Sequence, residues 1–257
     1  MHRDPVDNAD AGTGEWCCEG SKDLKFVVGT HHKTGSKFFS QSLKTLRQNS
    51  GLRIWFDTRQ KKKLQPPQRW DCYFQNHCNW RIDLESTSFR GIHSTRNPAA
   101  LILSAVRYHL RTDEKWAHRK QEEFGGRTYA ETLQALPELD DRIIFEIDHV
   151  AGRTIRNMLA VYEDPRFLHV DLDRISRDET MADLRACFDF CGLERWFDLD
   201  TWLASCRPHC LWSMNTLPSH VTAARQDRTT LLESFGPRAR DHFRSQFGDL
   251  LFNLVFA

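Results

Sequence analysis

Apolar and polar positions along this chain fall into blocks that read in turn as strands and helices. Lys25-Phe26-Val27-Val28-Gly29 is a short run of the kind a buried strand shows. A polar loop, Thr30 to Thr34, leads to Gly35, after which Phe39, Leu43 and Leu46 recur at helical spacing. Leu52 to Asp57, Cys72 to Phe74, Phe89 to Thr95 and Phe167 to Val170 are further predicted strands. Pro98 sits where a first helical residue belongs, opening a helix through Leu101, Ser104 and Tyr108. A long helix is predicted from Asp141 to Tyr162, with Ile143, Ile147, Val150, Ile155, Met158 and Tyr162 inward and Asp164-Pro165 as its stop. Asp178 to Leu193 and Pro237 to Phe256 are also helical in pattern, and residues 207–230 are irregular and polar. Strands alternating with helices predict an α/β fold, three layers deep, with a central parallel sheet covered on both faces.

Composition narrows the class. Residues 1–24, with Gly12, Gly14 and Gly20, read as a flexible N-terminal tail, and residues 25–257 as one domain. The 17 Phe and 8 Trp supply a sizeable core and exclude disorder along the whole chain. With 36 Lys+Arg against 35 Asp+Glu, the chain is no basic coat for nucleic acid, and none is expected as a partner. No apolar run reaches the roughly 18 residues of a membrane span, and the N-terminus lacks a signal peptide's apolar core. A soluble, cytoplasmic protein is the expectation. Residues 111–127 are highly charged and end in Gly125-Gly126, the pattern of an exposed excursion or lid. Arg59 to Arg69, with Lys61-Lys62-Lys63, reads as a basic, proline-broken loop. Cys187/Cys191 and Cys206/Cys210 stand four apart, a helical rather than a zinc-ribbon spacing, so buried thiols are expected there and no metal site.

The strongest chemical signal is Gly29-Thr30-His31-His32-Lys33-Thr34-Gly35-Ser36. A strand feeds a tight loop that opens a helix, so loop amides and a helix N-terminus share one spot of partial positive charge. Lys33 adds a full charge, and Thr34 and Ser36 add hydroxyls. The result is a cradle for a phosphate or sulfuryl group. It departs from the G-x-x-x-x-G-K-[ST] phosphate loop, because the lysine precedes the glycine. A second signal is Arg96-Asn97-Pro98, with Ser104 eight residues after the arginine. Arg96 ends a strand and Ser104 lies about two turns into the next helix, so a guanidinium and a hydroxyl can meet one phosphate.

In this order the two segments resemble the cofactor signatures of sulfotransferases that use 3′-phosphoadenosine 5′-phosphosulfate (PAPS). Lys33-Thr34-Gly35-Ser36 is similar to the family's K-[ST]-G-[TS] core, and Arg96-Asn97-Pro98 with Ser104 to its R-[DN]-P element. Ser104-Ala105-Val106-Arg107-Tyr108-His109 looks like the run that follows. Phe167 to Leu172 and Phe190-Cys191-Gly192-Leu193 are similar to its later strand and helix, so the likeness spans about residues 25–195. It implies a fold related to the P-loop nucleotide kinases and PAPS as co-substrate, with the 5′-phosphosulfate on Lys33, Thr34, Gly35, Ser36 and Lys37. It further implies the 3′-phosphate on Arg96 and Ser104, and adenine near Phe38, where cytosolic members carry a tryptophan. His31-His32 departs from the Tyr-Pro that members often carry there. The nearest analogue of the C-terminal basic segment with which cytosolic members close the site is Ser219 to Arg228, where Arg225 is a further candidate for the 3′-phosphate.

Sulfuryl transfer needs in-line geometry and charge stabilisation, a role that falls to Lys33, and the scheme requires no metal. A histidine suits the general base. His77, 19 residues before Arg96, matches the family's spacing best; His32 is second, and His31 and His93 follow. Glu85 is the candidate if the base is a carboxylate. The acceptor is expected to be a small molecule or carbohydrate hydroxyl or amine, with Trp55, Trp70, Trp80 and Trp116 as aromatics near the mouth. Two other readings stay open: a P-loop-like kinase using ATP, and a nucleotide-binding module without catalysis.

Overall fold

The computed structural model describes residues 24–58, 67–214 and 228–256. Five strands form one sheet: β1 (Lys25–Gly29), β2 (Ile54–Asp57), β3 (Cys72–Gln75), β4 (Phe89–Thr95) and β5 (Phe167–Asp171). Their order is β2-β3-β1-β4-β5 and every pairing is parallel. Side chains alternate across the sheet as the pleat requires. Phe26, Val28, Phe74 and Ile92 join one apolar cluster, and Val27, Tyr73, Phe89 and Phe167 another.

The first cluster is closed by α1 (Ser36–Ser50) through Phe39, Leu43 and Leu46. A second group of helices builds its own core: α2 (Pro98–His109) and, after α3 (Tyr129–Ala135), α4 (Leu139–His149) and α5 (Ala151–Ala160). In it Leu101, Ile143 and Ile155 are wholly buried. After β5 come the short α6 (Leu172–Ile175), then α7 (Ala182–Cys191) and α8 (Leu199–Cys206). Then come α9 (Arg228–Ser234) and α10 (Pro237–Phe256), and Phe235 between them and Phe243 of α10 join the second core. The α/β architecture with a parallel sheet flanked by helices is thus as expected. No described helix is long and apolar enough to cross a membrane.

The expected helix from Asp141 to Tyr162 is two helices. Val150, at φ −125° and ψ −58°, separates α4 from α5. Gly152 permits the break: a Cβ there would lie 2.0 Å from the Ile147 carbonyl oxygen. The helix expected from Asp178 starts later, because the Asp178 carboxylate accepts from the Ala182 N–H and Met181 is left-handed (φ 56°). The excursion after α2 is only partly exposed: Thr112 and Ala117 are buried, and a lone bridge pairs Lys120 with Thr128. Cys187, Cys191, Cys206 and Cys210 are buried thiols in the first core, as their spacing predicts. The predicted tail (except Leu24), Lys61-Lys62-Lys63 and Arg225 lie outside the described residues.

Candidate functional site

The carboxyl ends of parallel strands are where an open α/β sheet leaves a crevice. Here β1, β3 and β4 end side by side, with Gly29 opposite Gln75 on one flank and His93 on the other. The loop after β1 is stitched by its own polar groups. The His31 N–H donates to Thr34 Oγ1 at 2.7 Å, and Thr34 Oγ1 donates to the His31 carbonyl at 3.1 Å. Ser36 Oγ lies 2.7 Å from Thr30 Oγ1, and Ser94 Oγ donates to the Thr34 carbonyl at 2.5 Å. Thr34 is therefore buried loop scaffolding, and Ser36 anchors the start of α1 to the end of β1.

Lys33 (φ 64°) and Gly35 (φ 100°) are both left-handed, which bends the loop into a concave nest. Gly35 also has no room for a side chain, since a Cβ would lie 2.6 Å from Leu172 Cδ1. As the N-cap of α1 it offers no capping oxygen, so the first amides of a 15-residue helix lack a side-chain cap. Lys33 Nζ stands 4.0 Å from the centre of the Tyr108 ring. Burial lowers its pKa to about 8, helped by Arg96 and opposed by Glu114 and Glu146.

Asn97 caps α2 through Ala99 N–H and Ala100 N–H, which fixes Arg96 at the end of β4. Arg96 grips Asp173 with two bonds, Nε to Oδ2 at 2.9 Å and Nη2 to Oδ1 at 3.0 Å. Its Nη1 donates to the Lys33 carbonyl at 3.3 Å, tying the two predicted signatures together. Both signatures line one cleft of about 1550 Å³, to which His32, Lys33, Gly35, Ser36, Lys37, Phe38, Arg96 and Ser104 all contribute. That volume exceeds the roughly 300–1,000 Å³ of a single small-ligand pocket, so it has room for a nucleotide and a second molecule. Phe38 reaches the cleft but is mostly core, edge-on to Phe39 at 5.0 Å between ring centres.

His77 lines the same cleft, and burial is the main cause of its lowered pKa, so the ring is neutral with a lone pair at pH 7. His32 also lines it, in a line of rings behind Lys33. His32 Nε2 is 3.1 Å from His109 Nε2, the two rings are 7° from parallel, and His109 Nδ1 is 2.5 Å from Glu146 Oε1. Burial and the neighbouring His109 and Lys33 hold the His32 pKa well below 6.5. His93 is fully buried between His31 and His169, away from the cleft. Glu85 is away from it too, exposed and paired with Arg166 Nη2 at 3.0 Å. Of the four tryptophans, Trp80 and Trp116 line the cleft, whereas Trp55 and Trp70 pack on Tyr73.

Sequence reasoning missed three cleft residues. Asp173 positions Arg96. Glu114 accepts from the Tyr108 hydroxyl at 2.8 Å and from the Trp116 indole. Arg177 reaches the cleft with a buried Nε that has no hydrogen-bond partner among the described residues. A buried guanidinium nitrogen without a partner is costly, and an anionic ligand would satisfy it. All three sit in segments with no local motif, and only the fold brings them to Arg96 and Lys33.

No family model matches this sequence, and no curated protein matches it. Among solved structures, the crystal structure of mouse sulfotransferase SULT7A1 complexed with PAP is similar, with a TM-score of 0.52. The alignment is 12% identical and covers 92% of this chain and 88% of that one. The likeness is one of fold, and it extends over nearly the whole domain.

Proposed function

We propose that this protein is a PAPS-dependent sulfotransferase acting on a hydroxyl or amine of a small molecule or carbohydrate. The observation that carries the reading is the single cleft. An uncapped helix N-terminus and Lys33 line it together with Ser104 and with Arg96, which is tied to the same loop through the Lys33 carbonyl. A donor with a phosphosulfate at one end and a second phosphate at the other matches two anion sites in one crevice. The PAP-bound fold neighbour supports the same cofactor class.

In this reading the loop amides and Ser36 hold the nonbridging oxygens of the phosphosulfate. The acceptor oxygen or nitrogen attacks sulfur in line, its bond to sulfur forms, and the sulfur–oxygen bond to the 5′-phosphate breaks. His77, neutral and facing the cleft, takes the acceptor proton. Lys33 neutralises the charge that grows on the departing phosphate oxygen. Arg96, Ser104 and Arg177 hold the 3′-phosphate, and Trp80 and Trp116 flank the acceptor.

Calorimetric titration with adenosine 3′,5′-bisphosphate, beside ADP with and without Mg²⁺, tests the cofactor class. Binding that depends on the 3′-phosphate and ignores Mg²⁺ is the expected result. A preference for Mg²⁺-ADP would overturn it in favour of a kinase. Turnover of PAPS with an acceptor panel then separates an enzyme from a binding module.

A further inference from the structure

Behind the anion loop, three donor atoms from three separate segments converge. His31 Nε2 comes from the loop after β1, Cys78 Sγ from the loop after β3, and His93 Nε2 from β4. All three lie within 4.8 Å of one another. The two imidazole nitrogens are 2.8 Å apart.

Several features of the backbone and the surroundings serve this convergence. Cys78 is left-handed, at φ 50°, a conformation that costs energy for a residue with a Cβ and that marks functional positions. Gly29 clears the space for it, because a Cβ on Gly29 would lie 2.6 Å from Cys78 Sγ. His93 is aimed from behind: its Nδ1 is 2.8 Å from His169 Nδ1, and the His169 ring also hydrogen-bonds the Tyr162 backbone. With the His169 proton on Nε2, His169 Nδ1 accepts from His93 Nδ1–H. The lone pair on His93 Nε2 then points at His31 and Cys78. An outer hydrogen bond that sets the tautomer and aim of an imidazole is characteristic of metal-binding histidines.

We propose that His31, Cys78 and His93 form a transition-metal site, best suited to Zn²⁺, that clamps the anion loop to the loop carrying His77. Two imidazoles and a thiol are a borderline-soft donor set, which excludes Mg²⁺ and Ca²⁺ as occupants. At Zn²⁺ bond lengths a tetrahedral ion spaces two nitrogens by about 3.3 Å and a nitrogen and a sulfur by about 3.6 Å. His31 and His93 then move apart by only about half an ångström. His31 and Cys78 both border the cleft, which gives the ion a way in. On binding, the Cys78 thiol gives up its proton to solvent and the His31 proton moves from Nε2 to Nδ1, a net release of one proton per ion. Sequence spacing does not reveal the site, since its donors are far apart in the chain. The ion takes no part in the transfer step proposed above, and its presence is independent of that reading.

The test uses the full, untagged chain. Metal analysis of the purified protein should find one Zn²⁺ per chain. Metal-free protein refilled with Co²⁺ should show a thiolate-to-cobalt charge-transfer band and the intense visible bands of a tetrahedral ion. Cys78→Ser, nearly isosteric, should abolish the charge-transfer band while circular dichroism stays native. Cys191→Ala, a core thiol remote from the donors, should keep it. His169→Gln should retain the site but weaken its affinity roughly 10- to 100-fold. Folded wild-type protein that binds no stoichiometric Zn²⁺ or Co²⁺ overturns the proposal, as does a thiolate band that survives Cys78→Ser. Because none of these readouts uses PAPS, a failed cofactor titration leaves them intact, and a failed metal titration leaves the cofactor reading intact.

Discussion

Lys33 is held between opposing influences: burial and Arg96 weaken its hold on a proton, while Glu114 and Glu146 strengthen it. In the proposed reaction a lysine so placed is a preorganised donor whose worth appears when charge develops on the leaving oxygen. Lys33→Ala should cost about 2.7–4 kcal/mol of transition-state stabilisation, roughly 100- to 1,000-fold in kcat. Single-turnover kinetics on PAPS-saturated protein would check it, and near-normal turnover removes Lys33 from the chemistry. Arg177 makes a different prediction, because its buried Nε has no hydrogen-bond partner among the described residues. Arg177→Ala should weaken adenosine 3′,5′-bisphosphate binding by about 1.5–3 kcal/mol, roughly 10- to 100-fold, and leave adenosine 5′-phosphate nearly unaffected. Equal losses for both nucleotides would place Arg177 away from the 3′-phosphate. These two residues also mark how far sequence reading reaches. Lys33 was legible because its neighbours in the chain are its neighbours in the loop. Arg177, Asp173 and Glu114 were not, because their meaning comes from strands and helices that the fold alone brings together.

At the scale of elements, the strands were the most legible feature: β4 runs from Phe89 to Thr95 as its pattern predicts, and the other four agree to within two residues at either end. Short apolar runs buried on both faces leave little choice of structure. The break between α4 and α5 was not legible, since inward residues continue at helical spacing through Val150. What interrupts the helix is a close backbone approach, and a glycine inside a helical pattern does not announce one. Gly152→Ala tests this cause. Its Cβ would sit 2.0 Å from the Ile147 carbonyl, and the backbone there must shift to admit it. Destabilisation of about 1–3 kcal/mol, the usual cost of overpacking, is expected in urea unfolding, although alanine is the better helix former. A stabilised variant would show that the break is relieved without strain. The second core depends on this break, because α4 carries Ile143 and Ile147 into it and α5 carries Ile155.

At the scale of the whole molecule, the cleft gathers charged groups from four separate segments of the chain. The loop after β1, the end of β4, the start of α6 and the segment after α2 each bring a charged group to one crevice. Part of that charge is met internally, Arg96 by Asp173. A doubly anionic ligand binding across the crevice therefore stabilises the fold as a unit, since the unfolded chain cannot present both anion sites together. At a concentration of adenosine 3′,5′-bisphosphate about 100 times its dissociation constant, the gain is about 2.7 kcal/mol. For a domain of this size that corresponds to a rise in Tm of roughly 5–10 °C. Adenosine 5′-phosphate at the same concentration should give a clearly smaller rise if Arg96 and Ser104 hold the 3′-phosphate as proposed. Arg96→Ala should narrow the gap between the two nucleotides, with Ser104 and Arg177 keeping what remains of it. Equal shifts in the wild-type chain would mean that the cleft reads only one phosphate, and the pairing of the two signatures across it would lose its functional meaning.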